Sequence, residues 1–285
     1  MQMIYQNLTA AQINQFGLIL TSQGISFHAQ KAGRSWNILV DRANTEKAVK
    51  IIEEYFYERP AAHHAGEDRH DPLAYTGLWI SAVMISVHIA IILSNEGRVF
   101  RDAFQMSAAQ IMAGEYYRTI TALFLHSDTR HLAGNVIGIS IFGTVLCRMT
   151  GSGPGMLMIL LSGGMGNLIN AFLFSSNHVS IGSSTAVFGT IGMLSGKMFV
   201  EKFRQTGIRQ ASWLPIGGGI ALLSFLGSGE HTDVTAHLFG MIVGIFLGMM
   251  VSHWKKYVQR PDCQLLSMIL TAGIVAGSFF QGFWK

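Results

Sequence analysis

Seven apolar runs limit what this chain can fold into. They fall at about residues 76–95, 131–149, 154–174, 184–201, 213–229, 234–252 and 264–283. Each is near the roughly 20 residues that a helix needs to cross the hydrocarbon of a bilayer. In lipid, backbone groups are satisfied only within helices or closed barrels. Runs of this length therefore predict an all-α polytopic membrane protein. Composition agrees, because charged residues make up 13% of the chain against about 25% in an ordinary soluble domain. Glycines recur at every fourth position as Gly134/Gly138, Gly192/Gly196 and Gly240/Gly244/Gly248. That spacing lets helix backbones approach closely in lipid.

Residues 1–58 read differently, as a small soluble α+β module. Thr9-Ala10-Ala11-Gln12 fits a capping box before an apolar-periodic stretch through Leu20. Gly24 ends that helix. Ile25 to Gln30 and Trp36 to Val40 read as strands joined by a turn at Gly33. Asn44 caps a second helix that runs to about Tyr57. The expected order is helix, strand, strand, helix, a docking or regulatory unit with an unidentified partner. Residues 59–74 read as a solvated linker. Its His63, His64 and His70 have no ordered element to hold a metal. The membrane domain is expected over 75–285.

Lysine and arginine set the expected orientation. The segment 197–212 carries Lys197, Lys202, Arg204 and Arg209, and 253–262 carries Lys255, Lys256 and Arg260. Arg148 lies in the turn after the second run, whereas 175–183 and 229–233 carry neither residue type. The basic loops and the N-terminal module are thus expected on the cytoplasmic side. The long segment 97–130 carries charges of both signs and reads as a structured outer loop. No secretory signal opens the chain, so the first span is expected to stay uncleaved. Cys147 and Cys263 lie at cytoplasmic ends, where a disulfide is not expected. The net charge of +4 is too small to argue for a nucleic-acid partner.

With that topology three polar placements coincide. His131 starts the second span, Ser184 starts the fourth, and His237 lies about one turn into the sixth. All three fall near the outer face, with Asn135 roughly 6 Å below His131 on one helical face. Buried polar groups in hydrocarbon are costly unless they are paired or line a wet cavity. A serine with a neutral histidine as base suits acyl transfer. Backbone N–H groups at the start of the fourth helix, with the Asn135 and His131 side chains, are donors for an oxyanion. Gly182 permits a tight entry to Ser184.

These residues resemble the motifs of the rhomboid intramembrane serine proteases. Gly182-Ser183-Ser184 is similar to the family's Gly-x-Ser motif. Ala236-His237-Leu238-Phe239-Gly240, continued by Gly244, resembles its Ala-His-x-x-Gly-x-x-x-Gly motif. His126, His131 and Asn135 follow its His-x-x-x-x-His-x-x-x-Asn pattern, and Tyr117-Arg118 falls where the family has Trp-Arg. The likeness covers about 76–252. It implies a bundle of six core helices plus a seventh, and a serine endopeptidase with a Ser184–His237 dyad. The implied oxyanion hole consists of His131, Asn135 and the Ser184 N–H, with no cofactor or metal. The implied substrates are single-pass transmembrane proteins, cut near their outer membrane boundary, and the expected cytoplasmic N-terminus without a transit segment points to a bacterial inner membrane. Loop 229–233 and the fifth helix are the implied moving parts. Three positions depart from the pattern: Tyr117 for tryptophan, Thr185 for glycine, and Phe188 where relatives have tyrosine. Either ring at 188 can pack on His237.

Three other readings compete. Asp233, four residues before His237, can orient the imidazole in a Ser-His-Asp triad, or simply cap the sixth helix. A non-catalytic membrane binder or transporter would show repeats around a midplane site, and no convincing repeat is present. A metal site on His126, His131, His231 and His237 would leave Ser184 and Asn135 unexplained.

Overall fold

A computed structural model describes residues 1–33, 35–58, 75–174, 178–206, 210–226 and 233–285. The expected linker 59–74, most of loop 229–233 and His231 lie outside the described residues. The chain forms two compact units, Met1–Asp71 and Pro72–Lys285.

The first unit contains β1 (Gln2–Leu8), α1 (Ala10–Ser22), β2 (Phe27–Ala32), β3 (Ser35–Val40) and α2 (Thr45–Glu58). Thr9 and Gln12 form the reciprocal capping box at the start of α1. The three strands make an antiparallel sheet in the order β1-β3-β2. Strand β1 was absent from the order expected from sequence. It is an edge strand with two register shifts, and Asn7 sits at φ 59°. Most of its side chains are exposed or half-buried, so it lacks the alternation that marks a strand with one buried face. Leu20, Ile38, Val40, Ala48 and Ile52 form the core between helices and sheet.

The second unit is helical. It begins with α3 (Thr76–Ser94), α4 (Gly97–Phe104), β4 (Met106–Ser107), α5 (Ala108–Met112) and α6 (Arg118–Thr121). Next come α7 (Thr129–Gly138), a π-helical turn (Ile139–Gly143) and α8 (Thr144–Thr150), which together run as one helix. The chain continues through α9 (Ser152–Phe174), β5 (Val179–Ser180), α10 (Ser184–Thr206), α11 (Gln210–Leu226), α12 (Val234–Val258) and α13 (Pro261–Phe283). Among the described residues, five helices are long and apolar enough to cross a membrane: Thr76–Ser94, Thr129–Thr150, Ser152–Phe174, Val234–Trp254 and Pro261–Phe283. The expected runs at 184–201 and 213–229 stand out less. For α10 the reason is its place. Residues 185–193 are all buried within the bundle, so helix neighbours replace lipid and small residues replace large apolar ones.

The closest packing joins α10 to α12. A Cβ added at Gly240 would lie 2.2 Å from the Thr185 carbonyl oxygen. One at Gly244 would meet the Gly189 carbonyl at 2.0 Å, and one at Gly248 the Met193 carbonyl at 2.1 Å. The contacts advance by four residues on both helices, so the two run parallel in a fixed register. Helix α9 closes on the same seam, where a Cβ at Gly166 would lie 2.7 Å from the Gly240 nitrogen. Backbones this close allow extensive van der Waals contact, the main attraction between helices in lipid.

The segment between α3 and α7 is folded by hydrogen bonds. Arg118, 4% exposed, donates to the Glu115 carboxylate at 2.7 Å and to the Asp102 and Gln105 carbonyls at 2.9 and 3.2 Å. Strands β4 and β5 pair antiparallel. At the far end of the chain, Lys285 reaches Glu115 at 3.2 Å. Both cysteines are free thiols.

Candidate active site

The parallel register of α10 and α12 decides which side chains meet at their first turns. Ser184 immediately precedes Thr185, the residue against which Gly240 packs, and His237 lies three residues before Gly240. His237 Nε2 is 2.7 Å from Ser184 Oγ. His237 is 4% exposed. The Phe188 ring, one turn along α10 from Ser184, lies over the imidazole with centroids 4.8 Å apart and planes at 31°.

The chain enters α10 through Gly182 at φ +119°, a conformation that favours glycine. The Gly182 N–H donates to the Ala122 carbonyl at 2.9 Å. A Cβ on Gly182 would lie 2.5 Å from His131 Cε1, 2.6 Å from His131 Nε2 and 3.5 Å from Asn135 Nδ2. The absent side chain thus leaves room for two polar side chains of α7 beside the turn that carries Ser184. Asn135 Nδ2 is buried and has no hydrogen-bond partner among the described residues. A buried unsatisfied amide costs about 1–3 kcal/mol, so a donor left this way is suited to an acceptor that arrives with a ligand.

His131 is fixed from its other side. Asp128 caps α7, accepting the His131 N–H at 2.9 Å, and Ser127 Oγ lies 3.2 Å from His131 Nδ1. The His131 and Ser127 hydrogen bonds hold the exposed Asp128 carboxyl below its ordinary range. The Ser127 hydroxyl also lies 2.7 Å from Asp128.

His126 stands behind this group. Its ring meets His131 edge-on at 5.3 Å, and its Nε2 is 3.4 Å from Ser183 Oγ. Burial, reinforced by His131 and His88, pushes the His126 imidazole down to about 4. It is therefore neutral near pH 7. His126 also lines a cavity of about 270 Å³ that includes His88, Asn95, Arg101 and Ser127, room enough for several waters.

Both Asp233 carboxylate oxygens bond to groups other than the His237 ring. Its Oδ1 accepts from the Ala236 N–H at 3.1 Å and the Thr235 hydroxyl at 2.9 Å. Its Oδ2 lies 2.8 Å from Asn170 Nδ2 and 2.7 Å from His178 Nε2. Burial raises the Asp233 carboxyl, but the His178 and Ala236 hydrogen bonds outweigh it and hold the group below its ordinary range. Asn170 and His178 were not singled out from sequence. The available signal was an asparagine inside an apolar run, which is costly unless paired. The described residues contain no cluster of three metal-ligating side chains.

The rhomboid-domain family model matches residues 113–254, the stretch that holds His126, His131, Asn135, Ser184, Asp233 and His237. The putative rhomboid protease YdcA of Bacillus subtilis is 31% identical over 161 residues, covering 55% of this chain and 78% of that protein. The chain belongs to the rhomboid family. Rhomboid protease GluP of the same organism is 32% identical over 178 residues, which span 60% of this chain and a third, 33%, of GluP. The mitochondrial RHOMBOID-like protein 6 of Arabidopsis thaliana is 29% identical over 154 residues, covering 52% of this chain and 49% of that relative. Family membership and the apolar helices together make this rhomboid an integral membrane protein with a rhomboid-like polytopic fold.

Proposed function

We propose that this rhomboid is an intramembrane serine endopeptidase, with Ser184 as nucleophile and His237 as its base. The observation that carries the reading is the 2.7 Å contact between His237 Nε2 and Ser184 Oγ, made at the first turns of two buried helices. Relatives named as proteases support it.

In this reading Ser184 Oγ attacks the scissile carbonyl carbon while its proton passes to His237 Nε2. The oxyanion is held by Asn135 Nδ2, by the His131 side chain and by the Ser184 backbone N–H at the dipole end of α10. Collapse of the intermediate breaks the C–N bond, and the imidazolium returns its proton to the leaving amine. Water then attacks the acyl-enzyme, giving its proton to His237, and the acid product leaves as Ser184 is reprotonated. The His126 cavity is a route for that water. Phe188 holds the imidazole by ring contact alone, and the engagement of both Asp233 oxygens elsewhere favours a dyad over a triad.

The substrates are single-pass transmembrane proteins. A peptide bond inside a helix is shielded by its own hydrogen bonds, so the segment must unwind at the cut, which favours small or helix-breaking residues there. The loop charges favour an orientation with the site near the outer face, and the proposed location is a bacterial inner membrane.

A fluorophosphonate probe tests this. Purified protein should be labelled at Ser184, and Ser184→Ala and His237→Ala should abolish the adduct seen by mass spectrometry. A folded protein that neither labels nor cuts a model transmembrane substrate would be a non-catalytic rhomboid-like binding protein instead.

A further inference from the structure

A carboxylate outside the proposed dyad links the segment that leads to Ser184 with the helix that bears His237. Asp233 does two jobs with two oxygens. One caps its own helix through Ala236 and Thr235. The other leaves the helix and is shared by Asn170 and His178, which are themselves 3.1 Å apart. Asn170 is fully buried near the end of α9. His178 is stacked on Phe174 at 4.8 Å, and its carbonyl accepts the Ala108 N–H at 2.9 Å. Two residues later β5 ends, and Ser184 follows four residues after that.

We propose that Asn170, His178 and Asp233 form a latch that holds the first turn of α12 and so keeps His237 within reach of Ser184. The three are positioning residues for the reaction proposed above. The physical need is specific. The first turn of a helix lacks internal acceptors for its N–H groups and opens more readily than its middle. His237 follows directly on that turn, and its N–H makes the first hydrogen bond of the helix, to the Asp233 carbonyl at 3.1 Å. The glycine seam clamps α12 only from Gly240 onward. The competing account is an ordinary N-cap with a surface ion pair, which would contribute little. Asparagine separates the two. It caps helices as well as aspartate does, but an amide nitrogen at the Oδ2 position would confront the donors of Asn170 and His178.

The test compares Asp233→Asn, His178→Ala and His178→Gln with wild type in detergent or nanodiscs. The first readout is hydrogen exchange of the peptide that covers the start of α12, which needs no activity. The latch predicts exchange faster by about five- to tenfold in Asp233→Asn and His178→Ala. His178→Gln, which restores a donor, should recover most of the protection. The second readout is turnover of a model transmembrane substrate. A kcat lower by about tenfold at unchanged KM is expected wherever exchange rises, with recovery in His178→Gln. Wild-type exchange in both Asp233→Asn and His178→Ala would reduce Asp233 to a cap and overturn the latch. Faster exchange with unchanged kcat would overturn the positioning role. Loss in Asp233→Asn as complete as in Ser184→Ala, with His178→Ala fully active, would also overturn it and favour a direct triad. If the wild type itself neither labels nor cleaves, the protease reading fails, and the exchange arm still decides whether the latch exists.

Discussion

Helices α12 and α13 are both apolar and similar in length, yet the bundle holds them in opposite ways. In the membrane-crossing window α12 is 44% buried and α13 only 6%. Helix α12 meets its neighbours backbone to backbone, through Gly240, Gly244 and Gly248. Helix α13 is held near its two ends, by one close backbone approach, where a Cβ added at Gly153 would meet the Gln264 carbonyl, and otherwise by side chains. Gln264 accepts from the Gly153 N–H at 3.0 Å and donates to the Thr150 and Val258 carbonyls. At the other end Phe279 and Phe283 pack on Phe104 with centroids 5.2 and 4.8 Å apart, and Lys285 pairs with Glu115. The glycines of its middle, Gly273 and Gly277, have nothing within 4 Å of an added Cβ. Side-chain tethers tolerate small shifts. A glycine seam does not, and the proposed dyad, 2.7 Å apart, lies just before its first glycine contact.

The largest effect that would break this contrast is at the proposed dyad. Ser184→Ala and His237→Ala should each lower turnover of a model transmembrane substrate by more than about 10³-fold while leaving the fold intact. An active Ser184→Ala protein would remove the functional meaning of the seam. Next, Asn135→Ala should lower kcat by about 10²–10³-fold with little change in KM, as the loss of an oxyanion donor does. Steady-state kinetics would read the split, and an effect on KM alone would make Asn135 a substrate-binding group.

The seam itself is sharpened by a pair of glycine substitutions. Gly244→Ala puts a methyl group against the Gly189 carbonyl and should destabilise by about 1–3 kcal/mol, with loss of activity as α10 and α12 separate. Gly277→Ala in α13 should change stability by less than about 0.5 kcal/mol. Thermal unfolding in one detergent would compare them, and equal shifts would end the distinction.

The smallest effect concerns the α13 tether. Burial raises the Glu115 carboxyl, but hydrogen bonds from Arg118, Lys285 and Tyr117 outweigh it and leave the group below its ordinary value. A lowered folded value means that ionised Glu115 stabilises the protein fully above the carboxyl's ordinary range. The contribution fades as pH falls through the folded value, below about 4.5. Melting temperature should therefore drop less steeply with acid in Glu115→Gln than in wild type. Lys285→Met should remove only part of the effect, because Arg118 remains. Parallel slopes in all three proteins would mean that the tether contributes nothing measurable.

The sequence by itself determined the class of fold and the chemical groups that meet. Apolar runs of near-constant length dictate helices because lipid offers the backbone no other partner. Glycines at every fourth position already marked helix faces on which backbones can touch. Serine, histidine and asparagine in such runs stand out because unpaired polar groups there are costly. Two runs were less plain than the rest, since α10 is shielded from lipid and the apolar part of α11, Ser212–Phe225, is short. Strand β1 could not be read, because an exposed edge strand with bulges has no buried face to impose a period. What only the tertiary structure decided is register and direction. The four-residue step that aligns Thr185, Gly189 and Met193 with Gly240, Gly244 and Gly248 turns a serine and a histidine 53 residues apart into neighbours. The direction of the Asp233 carboxylate, toward Asn170 and His178, was likewise hidden. Spacing places a side chain on a face of its own helix, but only packing supplies the donors that decide which way its oxygens point.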